Sequence, residues 1–266
     1  MSFRRISAMF LRHTYLYRHS FTRLIEIVYW PLLDLLLWGF VSLYITKLSA
    51  EGQSTPNFLG IFLGALILWD ILFRSQQGIS VSFLEEVWAR NFLNLFVSPL
   101  TINEYLVSLM MVSLFKVVVV FLVSSLLAWL LYSFNLFIIG LYLLPFMINL
   151  IIFGWSIGIL TTAFILRFGQ QAEVLAWGIA FLFQPVSAVF YPLAVLPGFL
   201  QVAARFVPAS YVFEGMRAVI MGQSFPAVYL LKALGLNLIY LFLVLLLFFH
   251  MFKAVRVKGL LAHMGE

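Results

Sequence analysis

Six long apolar stretches divide this chain, and they constrain its fold more than any other feature of the sequence. A membrane-spanning helix needs roughly 20 apolar residues, which is close to or below the length of each stretch. We therefore predict an all-α polytopic membrane protein, embedded in a lipid bilayer, with six transmembrane helices at residues 24–46, 57–75, 104–132, 136–166, 174–191 and 229–252. Prolines interrupt the fifth stretch, and Pro145 predicts a kink in the fourth.

The composition excludes both a soluble globule and a disordered chain. Of the 266 residues, 64% are hydrophobic and 10% are charged, whereas soluble domains are about half apolar and a quarter charged. Disordered chains are polar and rich in charge. The sequence has no cysteine, which excludes disulfides and thiolate chemistry. The four histidines are too dispersed to form a recognisable metal-binding pattern.

The basic residues predict the topology. The net charge is +6, and the Lys and Arg residues cluster at the ends of the apolar stretches, which favours interaction with anionic lipid over nucleic acid. Most of them fall on one side when the N-terminus is placed in the cytosol. We therefore expect both termini to be cytosolic in a multi-pass protein of the cell membrane, the inner membrane in bacteria, with residues 253–266 as a cytosolic tail.

Residues 1–23 mix several arginines with apolar side chains. This pattern predicts an amphipathic helix that lies on the membrane surface. The alternative is a disordered basic leader that only satisfies the positive-inside rule.

A second amphipathic pattern follows the second predicted span, within residues 76–103. Apolar side chains recur there at helical spacing between Glu85, Glu86, Arg90 and Asn94. We predict one short cytosolic helix near 83–97 that stops at Ser98-Pro99, because proline disfavours helix in the residue before it. Glu86 and Arg90 have the i,i+4 spacing of an ion pair on its surface.

Residues 185–228, on the predicted outer side, are apolar but repeatedly broken by proline. Irregular backbone at membrane depth must be buried in protein or line a cavity. We predict two short re-entrant helices, the second around 209–222, where Glu214 and Arg217 have i,i+3 spacing. An ordinary interfacial loop is the alternative.

Charged residues inside predicted spans are costly in a bilayer and therefore informative. Asp34 and Lys116 each lie near the middle of a span. They could neutralise each other, or line the pathway of a stand-alone secondary transporter or channel. Asp70 precedes Arg74 by four residues, which favours a simple ion pair.

The sequence from Gly154 to Gly158 contains a Gly-x-Ser-x-Gly pattern centred on Ser156. A serine nucleophile of this kind normally follows a strand, whereas this one lies in an apolar helix. A membrane hydrolase that pairs Ser156 with His250 is one interpretation, and close helix packing through the two glycines is the other. The chain shows no nucleotide-binding fingerprint.

Two segments carry a resemblance to a known family. One runs from Glu85 to Leu100 with Ser98-Pro99-Leu100 at its end, and the other holds Tyr191-Pro192-Leu193, Leu196-Pro197 and the stretch from Pro208 to Arg217. Their order and spacing, with six spans and a basic N-terminal helix, resemble the membrane-spanning permease of type-2 ABC (ATP-binding cassette) exporters. The likeness covers nearly the whole chain, residues 1–266, as one permease domain, with five spans in 24–184.

The resemblance implies a division of labour. A separate ABC ATPase would hold ATP and Mg²⁺, so this chain would have no catalytic residue or cofactor of its own. A second permease chain, expected in a homodimer, would complete a path for a lipid, glycan or drug-like amphiphile. The ATPase would contact the coupling-helix residues Glu85, Glu86, Trp88, Arg90, Asn94 and Pro99. An outer gate would contain Tyr191, Pro192, Pro197, Pro208, Glu214 and Arg217.

Overall fold

The computed structural model describes residues 1–49, 58–224 and 227–257, so the end of the predicted tail and residues 225–226 of the predicted outer segment lie outside the described residues. Throughout these described ranges the regular structure is entirely helical. The α-helices are α1 Phe3–Arg18, α2 Phe21–Ser49, α3 Phe58–Trp88, α4 Phe92–Val97, α5 Ile102–Tyr132, α6 Leu143–Phe168, α7 Glu173–Phe183, α8 Gly198–Ala204, α9 Pro208–Ile220 and α10 Ala227–Val257.

Five segments of the described chain are long and apolar enough to cross a membrane. They are Val28–Lys47 within α2, then α3, α5, the stretch Leu136–Phe168 that contains α6, and α10. They correspond to five of the six predicted spans and confirm an all-helical protein with multiple apolar helices.

The segment predicted as the fifth span is different. Its helix, α7, has 11 residues, which is about 16 Å of helix against a hydrocarbon core of about 30 Å. Turns follow α7 around Pro185, and Ala188 has a φ of 52°, which is not helical. Residues 174–191 therefore do not form one continuous helix.

The prediction of one short helix near 83–97 was wrong. Helix α3 continues for 31 residues to Trp88, because no proline lies between Gln76 and Trp88. The break comes at Arg90, which has a φ of 49°, and α4 begins just after it. The predicted stop is confirmed, since α4 ends at Val97 and Ser98 is extended.

The kink expected at Pro145 lies earlier in the chain. Gly140 has a φ of 61° inside the 3-10 segment Leu136–Tyr142, which precedes α6. Pro145 itself lies in the first turn of α6, where a helix has no partner for the missing backbone N–H. The break in the helical backbone therefore falls at the glycine, and the proline fits within the first turn of α6 without interrupting it.

Helix α3 is the centre of the bundle and packs against both α5 and α6. A Cβ added at Gly154 would lie 2.5 Å from the Ser75 Cβ, and one at Gly158 would lie 2.8 Å from the Gln76 carbonyl oxygen. The backbones of α3 and α6 therefore approach so closely that only glycine fits, which supports the packing interpretation of the Gly-x-Ser-x-Gly pattern.

Helix α1 confirms that the basic N-terminal region is helical. Its buried side chains, Ile6, Met9 and His13, lie on one face, and α1 packs mainly against α5. It ends at Arg18, and α2 starts at Phe21 with almost no linker. The N-terminal helix therefore belongs to the folded bundle.

Candidate functional site

Glu86 is almost fully buried, with 1% of its surface exposed. Its two carboxylate oxygens accept hydrogen bonds from the two terminal nitrogens of Arg12, at 2.5 and 3.0 Å, and Oε2 also accepts one from Asn91 at 2.8 Å. The prediction that Glu86 lies on an exposed helix face was wrong, because α1 covers that face, while its predicted pair with Arg90 stays a prediction.

Two further contacts attach α1 to the same end of the bundle. His13 is fully buried, and its ring nitrogens lie 3.9 Å from Glu85 and 3.8 Å from Glu86. Glu104 accepts hydrogen bonds from the backbone nitrogen of Ser2 at 2.6 Å and from Arg5 at 3.3 Å. We call Arg5, Arg12 and His13 the basic clamp, because they hold α1 on the ends of α3 and α5.

The basic clamp was not predicted from the sequence, since its arginines were assigned to membrane topology and to the polar face of an amphipathic surface helix. One part of it has a sequence signal: Thr101 and Glu104 form a capping box at the start of α5, a pattern visible as Thr-x-x-Glu. The same Glu104 carboxylate therefore caps the start of α5 and accepts hydrogen bonds from Ser2 and Arg5. The partners in α1 lie too far away in sequence for any local pattern to indicate them.

The chain between Trp88 and Thr101 forms an exposed tip beyond α3. Trp88 is 44% exposed and Val97 is 86% exposed, while Arg90, Asn94 and Pro99 are also exposed. The Trp88 indole nitrogen donates to Glu173 at 3.2 Å. Of the six residues assigned to ATPase contact, four therefore lie on this tip, while Glu85 and Glu86 face the basic clamp.

The charges predicted to lie within spans fall into two separate clusters. Lys116 donates to the Ser82 hydroxyl at 3.0 Å and lies 4.7 Å from the ring centroid of Tyr17. Asp34 instead shares a cavity with Asp70 and Arg74. Ser82 lies about 18 Å from Asp70 along α3, at 1.5 Å per residue. The hypothesis that Asp34 pairs with Lys116 is therefore not supported, and each charge has other neighbours.

The predicted pair of Asp70 and Arg74 is confirmed. The Arg74 Nε lies 3.3 Å from Asp70 Oδ1, and both side chains are mostly buried. Arg74 also donates to the side chain of Gln77 at 3.2 Å. These contacts fix the guanidinium on the surface of α3 that faces α2 and α7.

A cavity of about 660 Å³ lies between α2, α3 and α7. We call it the aromatic cavity. Seven of the lining residues are aromatic: Trp30, Trp38, Trp69, Phe73, Trp177, Phe181 and Phe190. The other lining residues include Asp34, Asp70 and Arg74 and two amide side chains. Phe190 stacks on Trp38 with 6.1 Å between ring centroids. The cavity therefore combines charged and apolar surfaces.

Phe190 belongs to the proline segment, residues 184–220, which contains the predicted outer gate. Glu214 accepts hydrogen bonds from the backbone nitrogen of Leu193 at 2.6 Å and from Arg217 at 2.8 Å. Arg217 also donates to the Val189 carbonyl at 3.1 Å. The predicted Glu214–Arg217 pair is confirmed, and it ties α9 to the chain that closes one side of the aromatic cavity.

The prolines of this segment stand where short helices begin. Pro192 precedes the 3-10 turn Leu193–Val195, Pro197 is the N-cap of α8, and Pro208 is the first residue of α9. Proline suits these positions because its missing N–H would have no helical partner there. Tyr191 donates to the Pro185 carbonyl at 2.8 Å. The second helix predicted in this region, around 209–222, is confirmed as Pro208–Ile220.

The Ser156 hydroxyl donates to the Ile152 carbonyl of its own helix at 2.9 Å, a bond typical of serine within an apolar helix. His250 is exposed on α10. In the described ranges, no three His, Asp or Glu side chains come together as a metal site. Comparison with protein-family models and with curated proteins gives no match to this chain. Its function is therefore inferred from its own residues and their geometry.

Proposed function

We propose that this chain is the transmembrane permease subunit of an ATP-driven ABC exporter, in which two permease chains form the path and a separate ATPase supplies energy. The observation that carries the proposal is the exposed tip, Trp88 to Thr101, at the end of an apolar helix that continues unbroken from Phe58. A protruding, partly apolar tip of this kind suits a groove on a soluble partner.

The tip is rigidly attached to the bundle, which a force-transmitting contact requires. Glu86, two residues before the exposed Trp88, is held by Arg12 and Asn91. Arg5 donates to the carbonyl of Pro99 on the far side of the tip. ATP-driven closure of two ATPase subunits would therefore move α3 and α1 together with the tip.

In this proposal both termini and the tip face the cytosol of a cell-membrane protein, and the proline segment faces outward as the exit gate. The Glu214–Arg217 pair would set the position of that gate. The second permease chain would pack against apolar faces that a single chain leaves open. Helices α2 and α10 carry many exposed apolar side chains, and in α10 only 11% of the most apolar window is buried.

The test is purification of the affinity-tagged chain from its native membranes, followed by mass spectrometry of the bound proteins. We expect an ABC-type ATPase to copurify in stoichiometric amount. Trp88→Ala and Val97→Asp should each lower its recovery at least fivefold. Trp129→Ala is the matched control, because Trp129 is 58% exposed on α5 outside the tip, and it should leave recovery unchanged.

Three outcomes would contradict the proposal. The first is a purified chain that binds no ATPase while still moving a substrate in liposomes, which would favour the stand-alone transporter. The second is ATP hydrolysis by the chain itself. The third is recovery of the ATPase that is insensitive to every tip substitution.

A further inference from the structure

We propose that the aromatic cavity between α2, α3 and α7 binds an amphiphilic organic cation, meaning a ligand with one protonated or quaternary nitrogen on an apolar body. This inference deepens the proposed function by naming its substrate class, and for transport it rests on that function. Binding itself requires only this chain, so it can be tested without the ATPase.

The charges of the cavity favour a cation. Two carboxylates, Asp34 and Asp70, and one guanidinium, Arg74, line it. Arg74 is bound to Asp70 at 3.3 Å, so that pair is neutral as a unit. Asp34 lines the same cavity and is attracted by Arg74 at longer range, but within the described residues no hydrogen bond or salt bridge reaches its carboxylate. The two carboxylates and one guanidinium have a formal charge of −1, so one negative charge remains for a ligand to neutralise.

The walls favour an organic cation over a metal ion. Trp30, Trp38, Trp69 and Trp177 line the cavity, and the face of an indole ring attracts cations, most strongly where water is excluded. Phe190 packs against Phe62 with 4.9 Å between centroids, which extends the apolar wall. A metal ion would find a few oxygen ligands on the two carboxylates and two amides, but the aromatic rings that form most of the wall offer none to replace its water. An alkyl or aryl ammonium loses little hydration and gains apolar contact.

The size and position of the cavity also suit a small amphiphile. Its volume of about 660 Å³ falls within the range of ordinary ligand pockets, about 300 to 1,000 Å³. Two amides, Gln77 and Gln184, add hydrogen-bonding groups beside the carboxylates. Because α2 is mostly exposed at this depth, an amphiphile could reach the cavity laterally, from the bilayer.

A pair of probes with the same shape and opposite charge separates the electrostatic from the apolar contribution. We suggest tetraphenylphosphonium and tetraphenylborate, each radiolabelled, with the full-length chain in phosphatidylcholine nanodiscs. Binding to empty nanodiscs is subtracted, which removes partition into lipid. We expect saturable binding, with an affinity for the cation roughly tenfold higher than for the anion. One charge–charge interaction near contact distance in a partly hydrated site gives a difference of this size.

The variants then change the charge of the cavity in steps. Asp34→Asn should lower cation affinity about tenfold and abolish the preference, while Arg74→Gln should increase the preference. The double variant Asp34→Asn, Asp70→Asn leaves Arg74 alone and should reverse the preference toward tetraphenylborate. Trp38→Ala should weaken the binding of both ions. Glu173→Gln is the matched control for probe binding, because its carboxylate lies outside the cavity and accepts from Trp88, and binding of both ions should be unchanged.

Asp34→Glu guards against misfolding as an explanation, because it should retain the cation preference that Asp34→Asn loses. Equal saturable binding of both ions by the unmodified chain, or no saturable binding, would overturn the inference. A preference that survives in Asp34→Asn would overturn it as well. None of these results would affect copurification of an ATPase, and failure of copurification would not affect probe binding, so the two proposals fail separately.

Discussion

Arg12 and Glu86 form a two-point salt bridge although 74 residues separate them in the chain. The pair joins the first helix to the end of α3, where only 2% of the Glu86 side chain is exposed. A planar guanidinium matches both oxygens of a carboxylate, which adds geometric specificity to the attraction. The position of the exposed tip therefore depends on the N-terminal helix.

Removing the arginine should leave Glu86 buried without its main partner. We expect Arg12→Gln to lower the free energy of unfolding by about 2 kcal/mol, the usual cost for an unpaired buried acceptor. Thermal unfolding of the purified chain in detergent measures this. Arg4→Gln removes the same charge from an exposed position of the same helix and should have little effect. Equal effects of the two variants would show that the ion pair contributes nothing specific.

The Glu104 carboxylate has two tasks that substitutions can separate. Thr101→Ala removes only the cap of α5, whereas Glu104→Ala removes the cap and the contacts to Ser2 and Arg5. We expect each to cost about 1 kcal/mol through the cap. Hydrogen exchange in residues 3–12 should accelerate only in Glu104→Ala. Similar acceleration in both variants would contradict an anchoring role for Glu104.

Close packing of α3 on α6 predicts that replacing a glycine with alanine affects stability very differently in α6 and in α10. Gly154→Ala places a Cβ 2.5 Å from the Ser75 Cβ, so the helices must separate, at a cost of about 1–3 kcal/mol. Gly235→Ala, in α10, meets nothing within 4 Å and should stabilise the chain by up to about 1 kcal/mol through helix propensity. Midpoints of thermal unfolding give both values, and a neutral Gly154→Ala would show that the two backbones are not in contact.

The proline segment depends on the pair of Glu214 and Arg217. Glu214→Ala removes the acceptor for the Leu193 backbone nitrogen and the partner of a guanidinium that is 5% exposed. We expect faster hydrogen exchange in residues 189–195 and a loss of about 1–3 kcal/mol, the cost of an unsatisfied buried group. Arg205→Gln, at an exposed position of the same segment, is the control. Unchanged exchange in Glu214→Ala would show that other contacts hold the segment.

Continuous apolar stretches were predicted well from sequence, because length and hydropathy determine a span without reference to its neighbours. The predicted span at 104–132 appears as Ile102–Tyr132, and that at 229–252 appears as Ala227–Val257. The prediction failed where the chain packs against distant residues. The polar residues Gln76, Gln77, Ser80 and Ser82 ended the predicted second span, yet they lie inside α3. There the Gln76 side chain donates to the Ala176 carbonyl, and the Ser82 hydroxyl accepts from Lys116.

The candidate site was predictable only in its local pairs. Asp70 with Arg74 and Glu214 with Arg217 follow from helical spacing alone. The partners of Glu86 and Lys116 do not, since Arg12 and Ser82 reach them through tertiary packing. Asp34 and Lys116 were predicted to pair because both lie near the middle of a predicted span and have opposite charges. Similar positions along two helices do not determine which helix faces are in contact.

Helix α3 connects the two proposed sites, the aromatic cavity and the exposed tip. Trp69, Asp70, Phe73 and Arg74 line the aromatic cavity, and the same helix reaches the exposed Trp88 without an internal proline. From Arg74 to Trp88 the helix is about 21 Å long at 1.5 Å per residue. A push or twist applied at the tip would therefore be transmitted along α3 to the walls of the aromatic cavity, because one continuous helix joins the two.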